Sequence, residues 1–295
     1  MGSLFGIGGA GFTGYKMVRR VGELEEFKFE RMSEGCSLHM TIAVSGWINE
    51  EREDAFRWAW RYLALSEEQY CVRYESKYLL ELGKAMNYLM SYVVNYAIEQ
   101  ALMDTAIGGI VSALAWPMAL LTVANVIDNP WSLGNRPVTL LGFSLGARVI
   151  HKCLQAMAKR KGCEGIVEDV VLLGAPVNRS VNDWKTILPV VSGRIINGYS
   201  KSDWLLKFLY RTMNIQPWIA GIGPVENVSN KVSNIDLTDI VRGHLDYQHK
   251  LREVLEAIEI PVLPFTAAIV PVLPLENGPA SDDSTASSRS HSQAT

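Results

Sequence analysis

Ser144 sits at the centre of Gly142-Phe143-Ser144-Leu145-Gly146, the Gly-x-Ser-x-Gly pattern that places a serine hydroxyl on a sharp turn. Val138-Thr139-Leu140-Leu141 ahead of it is apolar or β-branched and predicts a short buried strand. Behind it, Ala147, Val149, Ile150, Leu154 and Met157 recur at helical spacing. Strand, pentapeptide and helix together are the context a nucleophile elbow requires. A serine in that position attacks acyl carbonyls once a base removes its proton and a carboxylate holds that base.

In the α/β-hydrolase order the acid and then the base follow the serine. Three histidines lie downstream of the elbow helix: His244, His249 and His291. His291 falls in the tail and His249 inside the closing helix. His244 follows Gly243 in a loop after the last expected strand, where a base has to emerge. His151, two turns down the elbow helix, reads as a packed or surface residue, and His39 as a strand residue. For the acid, Asp203 comes just past the strand ending at Tyr199. It would also make a good N-cap for the next helix. Asp183 is the alternative, and Asp246 is less favoured because it lies so close to His244 in sequence. The oxyanion hole needs the Leu145 amide and a second donor from the loop after residues 38–44. Gly46 and Trp47 are both candidates for that donor.

The elements that must hold these residues alternate strand and helix along the chain, giving an α/β class with a mostly parallel sheet flanked by helices. Glu25 to Glu30 predicts a half-exposed edge strand. Leu38 to Val44 and Tyr70 to Tyr74 predict further strands, with an amphipathic helix over Glu50 to Leu65 between them. From Lys77 the chain turns helical and grows apolar. After the elbow, strands are expected at Val170 to Val177, Arg194 to Tyr199 and Val232 to Ile235, then a closing helix from Leu245 to Ile258. The domain plan is an apolar, Gly-rich start over 1–20, a hydrolase-like domain over 21–260 with an apolar helical insertion at 77–127, and a Pro/Ser-rich disordered tail over 261–295.

Between Thr105 and Ala124 the chain carries no charge, and that is enough residues to span a bilayer. The flanking strands belong to one sheet, so a single pass is impossible. A hairpin entering and leaving on one side, or a helix buried on the sheet, remains. Residues 1–14 hold two overlapping Gly-x-Gly-x-x-Gly matches, at Gly6 and Gly9. Only five residues precede Gly6, so the strand that a dinucleotide site needs is missing. Small residues so spaced suit close-packed or membrane helices.

The net charge of -3 offers no basic face, so nucleic acid is not an expected partner. Cys36, Cys71, Cys153 and Cys163 show no paired metal-ligand spacing. They read as reduced thiols of an intracellular protein, with no zinc site and no cofactor expected. The apolar start precedes Lys16, Arg19 and Arg20, the reverse of a secretory signal.

Several segments carry a family likeness. Val44-Ser45-Gly46-Trp47, the run from Glu75 to Gly83, the elbow through Arg148, Leu173-Gly174-Ala175-Pro176, Asn197-Gly198-Tyr199-Ser200 with Asp203-Trp204, and Gly243-His244-Leu245-Asp246-Tyr247 resemble the transmembrane and coiled-coil domain-containing protein four family. The resemblance covers roughly residues 1–258. It implies an α/β-hydrolase fold, association with a membrane, and Ser144, Asp203 and His244 at the positions of a triad. Against that family the chain begins inside the apolar N-terminal region and reads as an N-terminally truncated form. The expected function is a serine hydrolase of esters or thioesters, with a lipid substrate favoured by the apolar segment. The alternative is a hydrolase-fold membrane adaptor or trafficking component that performs no chemistry.

Overall fold

The computed structural model describes residues 26–94, 136–212 and 218–264. The Gly-rich start, the uncharged stretch from Thr105 to Ala124 and the chain from residue 265 onward lie outside the described residues. Seven strands form one sheet: β1 (Phe27–Arg31), β2 (Met40–Val44), β3 (Glu68–Tyr74), β4 (Val138–Phe143), β5 (Val167–Leu173), β6 (Ile195–Tyr199) and β7 (Val232–Asp236). Their spatial order is β1-β3-β2-β4-β5-β6-β7. Only β1 is antiparallel, pairing with β3; the other neighbours are parallel. This is the α/β-hydrolase architecture.

The composition of each strand follows its place. β2 and β4 lie in the middle and are buried at every position, because helices cover both faces of a parallel sheet. The edge strands β1 and β7 keep charged or polar residues half-exposed. All the parallel strands point the same way, so the loops after Val44, Phe143, Leu173, Tyr199 and Asp236 gather along one edge. Ligands of open α/β sheets bind at that edge.

The helices, in chain order, are α1 (Ala55–Trp58), α2 (Ser76–Val94), α3 (Leu145–Met157), α4 (Val181–Ile187), α5 (Trp204–Thr212), α6 (Asp246–His249) and α7 (Leu251–Ala257). α3 buries Ala147, Ile150, Cys153, Leu154 and Met157 against the sheet. Each such Leu or Ile contributes about 1.5–3 kcal/mol by leaving water. α2 has an unusual seat. Leu79, Leu82, Met86 and Leu89 are buried at helical spacing. A Cβ on Gly83 would lie 2.1 Å from the Ile48 carbonyl oxygen. Asn87 Nδ2 donates to Asn49 Oδ1 at 3.0 Å. Farther along, Met90 Cε comes 3.9 Å from where a Gly243 side chain would begin. The helix therefore lies along the loops that follow β2 and β7. Among the described residues no helix is long and apolar enough to cross a membrane.

Three sequence expectations change. Glu50 to Leu65 is not one helix; only Ala55–Trp58 is α-helical. Phe56, Trp60, Tyr62 and Leu63 are all buried, but not along one continuous helix. Trp60 Nε1 instead donates to Ser45 Oγ at 3.0 Å, and Leu63 forms a bridge with Val262. The second change follows from that bridge. Leu263 donates its amide to Tyr62 O at 2.7 Å, so ordered structure continues past residue 260, the expected end of the domain. The closing helix is also interrupted at Lys250, between α6 and α7.

Candidate active site

Ser144 follows β4 directly and adopts φ 53°, ψ -123°, a conformation that L-residues rarely hold. Such strain persists only where the surroundings enforce it. Here the Ser144 amide donates to Leu173 O at 2.8 Å, and its carbonyl receives the Arg148 amide at 3.1 Å. The flanking glycines let three backbones meet. A Cβ on Gly146 would lie 2.1 Å from Val44 O, and one on Gly142 would lie 2.8 Å from Gly146 C.

His244 comes in from the loop after β7. Its Nε2 lies 2.6 Å from Ser144 Oγ, and its Nδ1 lies 2.5 Å from Asp203 Oδ2. With imidazole neutral, Nδ1–H donates to the carboxylate, leaving Nε2 to accept from the serine hydroxyl; the tautomer is assigned from these partners. Asp203 also uses its other oxygen: Oδ1 accepts the Leu206 amide at 2.9 Å. It is thus both the cap of α5 and the partner of His244. All three side chains are buried, Ser144 to 4% exposure and Asp203 to zero.

The alternatives to Asp203 lie elsewhere. Asp183 sits in the first turn of α4, half-buried. Asp246 Oδ2 accepts the Arg242 amide at 2.9 Å and the Lys250 ammonium at 3.2 Å, so it fastens the base loop without touching His244. Ser200 ties the acid loop to the base loop, donating its hydroxyl to Val241 O at 2.6 Å and accepting the Ser202 amide at 3.1 Å. Nothing in the residue type announced that role.

Gly46 lies against the elbow. A Cβ there would stand 2.4 Å from Phe143 O, 2.7 Å from Ser144 Cβ and 2.8 Å from the Leu145 amide nitrogen. The preceding Ser45 is held by Trp60 Nε1 and by Tyr74 OH, which donates to Ser45 O at 2.8 Å. Trp47 is fully buried, its ring edge-to-face with Phe143 at 4.9 Å and tilted 30° over His244 at 5.5 Å. Tyr247 approaches His244 edge-on at 5.9 Å. Its phenol packs on Gly174, whose amide donates to Gly198 O at 2.9 Å. Burial, then the charge of Asp203, push the Tyr247 phenol well above its ordinary pKa. The Asp246-Tyr247 pair was visible in the sequence, but this packing was not.

The remaining histidines stand apart. His249 is exposed and borders a surface cleft of about 150 Å³ with Asn49, Trp58, Arg61 and Gln248. His151 is buried beside Trp184, both ring nitrogens without partners. Burial, then the Lys152 and Arg148 charges, push its pKa down to about 3. His39 precedes β2 instead of lying in it, with Nε2 2.8 Å from Thr139 Oγ1.

An uncharacterized membrane protein of Caenorhabditis elegans is 50% identical over 95% of this chain and 49% of its own length. The "Transmembrane and coiled-coil domain-containing protein STS1" of Oryza sativa subsp. japonica is 37% identical over 87% of this chain and 42% of its own. A Saccharomyces cerevisiae relative named "Probable lipase MIL1" is 31% identical over 86% of this chain and 26% of its own. The chain thus spans half or less of these relatives' lengths. Among solved structures, a poly(3-hydroxybutyrate) depolymerase of Bordetella parapertussis matches at 11% identity and a TM-score of 0.43, over 82% of this chain and 86% of its own, a likeness too distant to build on. The family model described as "Protein of unknown function (DUF726)" matches residues 1–134 and 132–261. By that coverage the chain belongs to the DUF726 family.

Proposed function

We propose that this protein is a membrane-associated serine hydrolase of carboxylic esters or thioesters, with Ser144 as nucleophile, His244 as base and Asp203 as the carboxylate that orients the base. The observation that carries this reading is the use of both nitrogens of one imidazole. Nε2 meets a strained serine at 2.6 Å and Nδ1 meets a buried carboxylate at 2.5 Å. In the reaction, Ser144 Oγ bonds to the acyl carbon as its proton passes to Nε2. The carbonyl electron pair moves to oxygen, where the Leu145 amide and a donor from Gly46-Trp47 stabilise it. Nε2–H then protonates the leaving alcohol or thiol, and water repeats the sequence to free the acid. Asp203 keeps its charge throughout and stabilises the imidazolium.

A lipid ester is the favoured substrate. One relative's name contains the word lipase and another is named a membrane protein. The chain itself carries the uncharged stretch from Thr105 to Ala124. The rival reading, an adaptor without chemistry, draws on the near-complete burial of Ser144. An alkyl fluorophosphonate probe separates the two. Folded wild-type protein should label at Ser144, and Ser144→Ala should not. A folded wild-type protein that stays unlabelled, or a Ser144→Ala variant that labels equally, would overturn the hydrolase reading.

A further inference from the structure

Among the described residues three tryptophans are fully buried, and their indole N–H groups are treated differently. Trp60 Nε1 donates to Ser45 Oγ at 3.0 Å. Trp184 Nε1 donates to Asn178 O at 2.9 Å. Trp47 Nε1 is equally cut off from water and has no acceptor. A buried donor left unpaired is costly, and such groups in folded proteins call for an explanation. This one belongs to the ring tilted beside His244, two residues past the serine that Trp60 and Tyr74 fasten in place.

We infer that the Trp47 indole N–H is a side-chain donor to the substrate, taking as its acceptor the oxygen that becomes negative when Ser144 attacks. The inference rests on the serine-hydrolase reading and adds to it a donor that the backbone hole alone would not contain. Chemistry suits the indole to this place. It donates and never accepts, so it cannot compete with Nε2 for the serine proton. It does not ionise, so its hydrogen bond persists across the working pH range. Phe143 sets its orientation by edge-to-face contact at 4.9 Å. The same ring lies beside His244, tilted 30° with the centroids 5.5 Å apart, where the imidazolium forms in the same step, and an aromatic ring nearby favours a cation. Both charges of the tetrahedral state therefore meet one side chain. In the attack itself the Oγ–carbon bond forms, the carbonyl π pair becomes a lone pair on oxygen, and the proton goes to Nε2. The Trp47 N–H keeps its proton throughout.

The test uses the full chain with ¹⁵N-labelled indoles and an alkyl fluorophosphonate, whose phosphoryl oxygen stands in for the oxyanion once bonded to Ser144. Mass spectrometry establishes the adduct. The Trp47 Nε1–H resonance is assigned by contact with the His244 ring, or by its loss in Trp47→Phe. On adduct formation it should move downfield while Trp60 and Trp184 stay put. In parallel, Trp47→Phe keeps a ring over His244 but drops the N–H. It should lower kcat for a p-nitrophenyl ester about 10²-fold, as loss of one oxyanion donor does elsewhere. KM and the midpoint of the pH–rate profile should hold. An adduct with an unmoved Trp47 resonance, or a Trp47→Phe enzyme of normal kcat, overturns this inference alone. A folded chain that takes no adduct overturns the hydrolase reading and this inference together.

Discussion

The two ends of the sheet each bring a histidine, a hydroxyl and a carboxylate together. At the carboxyl ends of the strands His244 stands between Ser144 and Asp203 and spends a different nitrogen on each. At the amino ends His39 meets Thr139 Oγ1 at 2.8 Å and Glu168 Oε2 at 3.5 Å through one nitrogen, Nε2. A proton taken from the first hydroxyl can be balanced across the ring by the buried carboxylate. The second arrangement has no such far side, so its carboxylate competes with the hydroxyl for a single atom. The settings differ as well. Ser144 is held at positive φ on a turn, whereas Thr139 lies within β4. Residue types alone do not separate a relay from a surface cluster; which nitrogen faces which partner does.

The largest expected effect comes from removing the carboxylate charge on the far side of the His244 imidazole. Asp203→Asn should lower ester turnover on the order of 10⁴-fold, following the serine-protease precedent. Glu168→Gln and Asp183→Asn should leave turnover within a few-fold. Steady-state kinetics on the three variants decides the matter, and comparable losses in Asp203→Asn and Glu168→Gln would erase the distinction drawn between the two ends.

Next in size is the crowding at the elbow. A methyl group on Gly46 would press on Phe143 O and Ser144 Cβ, neither of which can yield without moving the turn. Gly46→Ala should cost about 1–3 kcal/mol in stability through overpacking. Turnover should fall about 10²-fold, the scale of an ångström of misplacement. Urea titration and kinetics on the same sample test this, and unchanged activity would mean that the active end tolerates looser packing than its contacts imply.

The smallest effect concerns His151, which belongs to neither end. Its folded pKa of about 3 lies below the ordinary value near 6.5. Between those values the unfolded chain binds a proton that the folded chain refuses, so stability is full above pH 6.5 and declines as pH falls towards 3. His151→Leu should flatten this decline, narrowing the difference between pH 7 and pH 4.5 by up to a few kcal/mol. Denaturation midpoints at the two pH values provide the readout. An identical decline in the variant would assign the acid sensitivity to the carboxylates.

Much of this arrangement was legible in the chain because it depends on local order. Gly142 to Gly146 between a β-branched run and a helical run announces its turn, and Asp203 and His244 follow their strands in the expected sequence. The Glu50 to Leu65 segment was misread because its tryptophans answer to distant partners. Trp60 is placed by Ser45, and Leu63 by Val262, and periodicity within the segment records neither. The second role of Asp203, capping α5 while holding His244, was visible only as two competing readings of one residue. Ser200 and Tyr247 stood in motifs visible in the sequence, but their contacts were not, since they arise through loops that meet only in three dimensions.

The seat of α2 along the loops after β2 and β7 has a consequence in time. Asn49, which receives Asn87 from that helix, also donates to Gln248 Oε1 at 2.6 Å, joining residues 199 positions apart. Ser144 likewise precedes His244 by 100 residues. A ribosome adding about 5–20 residues per second therefore exposes the serine for roughly 5–20 s before its base has been made. Throughout that interval Ser144 is an ordinary alcohol, and α2 lacks half of the surface on which it rests. On the proposed reading, the pair of Ser144 and His244 can form only once the loop after the last strand has been made, so no hydrolysis can begin on the unfinished chain.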